Sequence, residues 1–128
     1  MTSKSTRDNT WIFVCFSRDI ALETARKYVV EGNRLVVWRD AQGYVHVWND
    51  QCPHRGDPLS SGEVNGCLIT CVSHGWRFDV NGQRVRQLSE LSTHRNASFI
   101  RVYRSKEHDE AIWVRIEPSR VQVTHVSN

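Results

Sequence analysis

The residues best able to do chemistry form two short clusters, Cys52-Pro53-His54 and Cys71-Val72-Ser73-His74. Each sets one thiol and one imidazole a few positions apart. Sixteen residues, Arg55 to Thr70, separate the clusters, enough for a strand and a turn to bring two loops together. Two cysteines and two histidines in C-x-H…C-x2-H order can hold a metal centre. Zinc accepts such a set as well, but the zinc-finger order groups cysteines with cysteines and histidines with histidines, whereas each pair here mixes the two. Cys15 lies in the apolar run Trp11–Phe16, where a buried thiol behaves as a small hydrophobe. Cys67 follows the turn-like Asn65-Gly66 and reads as a strand residue. Both therefore read as structural cysteines. His46, His94, His108 and His125 lie outside the clusters and read as surface residues.

The elements that must position these clusters read as β-structure. Trp11–Phe16 is apolar and β-prone. Ser17-Arg18-Asp19 can cap a short helix over Ile20–Lys27, whose Ala, Leu, Glu and Arg favour it. Tyr28-Val29-Val30, Glu31-Gly32-Asn33 and Leu35-Val36-Val37-Trp38 read as strand, turn and strand. After the turn Asp40–Gly43, Tyr44–Trp48 alternates like a half-buried strand. Residues 49–62 form a loop rich in Gly and Pro that carries the first pair, and the apolar strand Cys67–Val72 leads into the second. Trp76–Val80 and Gln83–Arg86 flank Asn81-Gly82, a strong hairpin signal. Phe99–Tyr103 and Ile112–Ile116 are further strands, joined by a charged turn over Ser105–Glu110. Residues 87–98 are polar and carry no clear signal. Short strands at close intervals imply an all-β protein of antiparallel sheets.

Composition narrows the function. At 128 residues, with 39% hydrophobic and 24% charged residues, the chain fits one globular domain. A net charge of +3 without a Lys/Arg stripe gives no reason to expect a nucleic-acid partner. There is no apolar run of membrane-spanning length and no signal-peptide core in Met1–Thr10, so no membrane partner and a cytoplasmic location are expected. In that compartment cysteines read as metal ligands before disulfides.

His54-Arg55-Gly56 follows the first pair, and His74-Gly75-Trp76-Arg77-Phe78-Asp79 contains the last candidate ligand. Spacing and flanks together resemble the Rieske iron–sulfur domain, in the form found at the front of ring-hydroxylating oxygenases. The resemblance covers roughly residues 11–116 and is strongest over 34–86. It implies one [2Fe–2S] cluster held by Cys52, His54, Cys71 and His74, with the cysteines on an inner iron and the histidines on an outer iron near solvent. It also implies stacked antiparallel sheets, with two cluster-binding loops projecting from the smaller one. The expected organisation is a flexible N-terminus over 1–10, the Rieske domain over 11–117 and a polar C-terminal tail over 118–128.

Such a ligand set has electrostatic consequences. Four thiolates make an oxidised cluster dianionic, whereas two thiolates and two neutral imidazoles make it neutral, so an electron is added more easily. Rieske centres accordingly span about −150 to +300 mV, against about −400 mV for plant-type ferredoxins. High-potential Rieske proteins carry a disulfide between the two loops and hydroxyl donors from a Ser and a Tyr. The corresponding positions here are Asp57 and Ser73 for the bridge, and Trp76 and Phe78 for the hydroxyls. The resemblance therefore implies a potential at the low end, on the order of −150 mV. Asp57 reads as a solvated carboxylate, and Leu59 and Trp76 as shields for the cluster.

Full oxygenase chains add a mononuclear iron held by two His and a carboxylate. Neither Glu90 with His94 nor His108 with Asp109 reproduces that arrangement. The chain thus reads as a non-catalytic one-electron carrier between an NAD(P)H-dependent flavin reductase and an oxygenase component. The alternative is the Rieske domain or small subunit of a ring-hydroxylating oxygenase component. The flank His74-Gly75-Trp76 has the oxygenase form, whereas free ferredoxins more often carry Phe-Gly there.

Overall fold

The computed structural model describes residues 10–73, 75–85 and 99–116. Its organising element is β3 (Asn33–Arg39), paired antiparallel along its length with β2 (Thr24–Val30) and with β4 (Val45–Asn49). Four consecutive β3 residues, Leu35, Val36, Val37 and Trp38, are fully buried. Side chains alternate across a strand, so this unbroken apolar run fills two cores at once. Val36 and Trp38 pack on one face against Trp48, Leu59, Ile69 and Phe78. Leu35 and Val37 pack on the other against Val47, Ile112 and Val114. Each such side chain contributes roughly 1.5–3 kcal/mol by burial.

The β2-β3-β4 sheet is therefore a middle layer. On one side lies the sheet β1-β10-β9, built from β1 (Ile12–Phe16), β10 (Ala111–Arg115) and the charged edge strand β9 (Arg104–His108). On the other lies β5-β6-β7-β8, built from β5 (Glu63–Asn65), β6 (Leu68–Thr70), β7 (Arg77–Phe78) and β8 (Arg84–Val85). The protein is an all-β stack of antiparallel sheets, as its sequence pattern implies.

The helix expected over Ile20–Lys27 does not form. Ser17–Asp19 makes a single 3-10 turn, and the chain then enters β2, whose seven residues all pair with β3. Pairing against a buried strand outweighs the helix preference of Ala, Glu and Arg. Arg39 fixes the connection by donating to the carbonyls of Ile20 at 2.7 Å and Ser17 at 3.0 Å.

The charged segment Ser105–Glu110 is mostly strand rather than turn. Only Asp109 and Glu110 reverse the chain, both at positive φ, 54° and 63°. Phe99–Tyr103 forms two isolated bridges, Gln83 with Phe99 and Trp48 with Val102, and so ties the third sheet to the middle one. Cys67 sits in the β5–β6 turn, not in a strand. Residues 87–98 lie outside the described residues.

Candidate metal centre

Two loops at one end of the third sheet carry the clusters. The first runs from Asp50 to Gly62, between β4 and β5, and the second spans residues 71–76, between β6 and β7. The same backbone pattern closes both. In the first, Cys52 N–H donates to Asp57 O at 2.8 Å and Gly56 N–H donates to Cys52 O at 2.7 Å. In the second, Cys71 N–H donates to Trp76 O at 2.8 Å and Gly75 N–H donates to Cys71 O at 3.0 Å. Gly56 and Gly75 take φ of +82° and +73°, a conformation that favours glycine. The loops are thus near-copies, each presenting its cysteine inward.

Cys52 and Cys71 are each 1% exposed and belong to the core beneath β3. Their side chains contact one another, and the backbone N–H groups of His54 and Arg55 point at the Cys52 sulfur. Burial pushes the Cys52 thiol up to about 11, and its Cys71 neighbour reinforces the rise. Buried beside Cys71, the Cys52 thiol resists becoming a thiolate, and a bound cation reverses that balance. The donor set therefore fits a metal that takes two thiolates side by side. His54 lies outward of the thiols, exposed, and stacks on Trp76 with ring centroids 4.1 Å apart and planes 17° from parallel. His74 lies outside the described residues, as do His94, Glu90 and His125. Among the described residues no group of three or more His, Cys, Asp or Glu converges on a single ion.

The surroundings differ from expectation in two places. Asp57 is not merely solvated, because Ser73 of the second loop donates its hydroxyl to the Asp57 carboxylate. His46 is not a surface residue. Its ring lies 4.5 Å from Trp38 and shares a 2.9 Å hydrogen bond with the buried Asp40. Burial alone would raise Asp40, but the bonds from His46, Tyr44 N–H and Gln42 N–H outweigh it and hold the carboxyl low. His108 is exposed, as expected.

One supporting pair escaped the sequence reading. Asp50, 3% exposed, accepts from Ser60 N–H at 2.7 Å and from Ser60 Oγ at 2.6 Å, clamping the 3-10 turn Leu59–Ser61 against the start of the loop. The buried Leu59 is thereby seated under the cysteines. A polar pair ten residues apart inside a loop has no periodicity to reveal it.

The sequence profile of the Rieske [2Fe-2S] domain matches residues 10–104. The chain is 33% identical over 109 residues to 4beta-methylsterol monooxygenase of Methylococcus capsulatus, covering 83% of this chain and 30% of that protein. It is 30% identical over 112 residues to the phthalate 4,5-dioxygenase oxygenase subunit of Pseudomonas putida, covering 84% of this chain and 26% of that protein. A crystal structure of apo dicamba monooxygenase superposes with a TM-score of 0.73 and 27% identity, covering 88% of this chain and 35% of that one. The chain thus spans under a third of the length of these two curated relatives.

Proposed function

The chain belongs to the Rieske [2Fe-2S] domain family, and we propose that it serves as the electron-relay domain of a ring-hydroxylating oxygenase component, without catalysing oxygenation alone. In this reading Cys52 and Cys71 hold one iron of the cluster, and His54 and His74 hold the other. When bound, such a cluster would supply one-electron chemistry. The protein residues keep water from the sulfur side and present an imidazole to the outside. The carrying observation is the pair of matched loops, with both thiols buried in contact and His54 outward of them.

The electron source that suits such a relay is an NAD(P)H-dependent flavin reductase, and the acceptor is a mononuclear iron site in an oxygenase catalytic domain. A free-standing carrier would make the same transfer. The oxygenase-component reading is preferred because the matched relatives are themselves oxygenases of which this chain resembles only one portion.

Spectroscopy of the anaerobically purified protein tests the assignment. A reddish-brown protein with a Rieske-type EPR signal on reduction is expected. His54→Ala or Cys71→Ser should abolish that spectrum. A colourless protein containing zinc, or an unchanged spectrum in either variant, refutes the ligand set. Mixing with purified reductase and oxygenase chains then separates a fixed complex from a diffusing carrier.

A further inference from the structure

The two ligand loops are each closed by their own backbone hydrogen bonds, which run within a loop and not across to the other. Across the gap, Ser73 Oγ donates to the Asp57 carboxylate, joining residues sixteen positions apart. Both anchors are stiffly coupled to the buried cysteines. Asp57 O accepts from Cys52 N–H at 2.8 Å, and Pro58 and the fully buried Leu59 follow it immediately. Ser73 lies inside the turn closed by Gly75 N–H on Cys71 O, and directly precedes His74 in sequence. A restraint between these two side chains is therefore passed to both thiols and to the segments carrying both imidazoles.

We propose that Ser73 and Asp57 form a non-covalent clasp that holds the two ligand loops at cluster spacing. This rests on the ligand assignment proposed above and extends it to two positioning residues that themselves bind no iron. The clasp occupies the two positions at which a disulfide links the loops in high-potential members of the family. A hydrogen bond to a carboxylate is among the stronger kinds, although exposure to water reduces its net contribution. It also survives the reducing conditions that would open a disulfide, so loop closure is maintained while the domain cycles electrons.

The test follows cluster loss from the holoprotein by visible absorbance after adding an iron chelator. The set comprises wild type, Ser73→Ala, Asp57→Ala, the double variant, Asp57→Asn and Ser73→Thr. Each single alanine variant should lose its cluster about three- to tenfold faster than wild type. The double variant should be no faster than the faster single, because one missing partner already opens the clasp. Asp57→Asn keeps an acceptor and Ser73→Thr keeps a donor, so both should stay within about twofold of wild type. The EPR g-values should broaden in the alanine variants and not in the two conservative ones, a readout that general destabilisation would not sort by hydrogen-bonding capacity.

Wild-type rates in both alanine singles, or a double variant whose acceleration is the product of the two, would overturn the clasp. If the alanine variants assemble no cluster, Asp57→Asn and Ser73→Thr must still assemble one, and their failure also overturns it. A wild-type protein without an iron–sulfur signal would instead sink the ligand assignment. The two failures are thus distinguishable.

Discussion

Trp76 holds together the part of the centre nearest solvent. His54 stacks on it at 4.1 Å, and the Arg84 guanidinium carbon lies 3.5 Å from its centroid, so the two must use opposite ring faces. Neither Trp76 nor Phe78 offers a hydroxyl, and the Phe78 side chain is fully buried. With few donors to stabilise added charge on the sulfurs of the proposed cluster, its reduced state would gain little, and a midpoint potential on the order of −150 mV is expected by spectroelectrochemistry. A value well above zero would contradict this account of the surroundings. Phe78→Tyr should move the potential upward, with the added hydroxyl as a donor. An unchanged potential with a lowered Tm would mean that the hydroxyl is left buried without an acceptor. At this scale the sequence revealed what is local. The two Cys/His pairs stand out by spacing, whereas Asp57 with Ser73 and Asp50 with Ser60 meet only because the loops fold back, and ordinary polar residues leave no pattern along the chain.

Two connections between elements carry predictions. Gly62 sits where a Cβ would lie 1.9 Å from Thr70 O and 2.9 Å from Thr70 C, both backbone atoms of β6. Gly62→Ala must displace the strand that delivers Cys71. It should cost about 1–3 kcal/mol in denaturant unfolding and also weaken cluster retention. On the far side, Arg39 from β3 forks onto Glu107 of β9 at 3.1 and 2.9 Å while donating to the carbonyls that shape the 17–20 turn. The hydrogen bond from Arg39 holds the Glu107 carboxyl below its usual 4.5. A carboxyl lowered in the folded state contributes stability that is complete above its unfolded value and fades as pH falls through the folded one. Between pH 7 and pH 5 this pair should therefore leave stability unchanged. Below about pH 4.5 wild type should lose stability that Glu107→Gln does not, as read by urea titrations at stepped pH. These connections also explain which elements the sequence disclosed. β3 is legible because both of its faces are buried. β2 begins with helix-favouring residues and is a strand only through its partner. β9 is charged because it is an edge, and so it looks like a turn until β10 is seen beside it.

At the scale of the whole molecule, the middle sheet separates two cores of different dependence. The core between β2-β3-β4 and β1-β10-β9 is apart from the ligand loops and rests on residues such as Leu35, Val37, Ile112 and Val114. The core on the opposite face includes Cys52 and Cys71 themselves, together with Leu59, Val64, Ile69 and Phe78. The small third sheet has strands of only two or three residues, so its order depends on that core and on whatever joins the loops above it. Removing the cluster proposed above should leave two buried thiols in contact and withdraw the bonds that would connect the loops, destabilising one core and sparing the other. Hydrogen exchange measured on the protein before and after chelation should show protection falling across β5 to β8 and both ligand loops. The amides of β1, β10 and the β3–β4 pairing should exchange at nearly unchanged rates. Uniform loss of protection throughout the described residues would mean that the cores unfold as one unit. In that case the metal staples the whole fold, rather than only the layer that presents the relay.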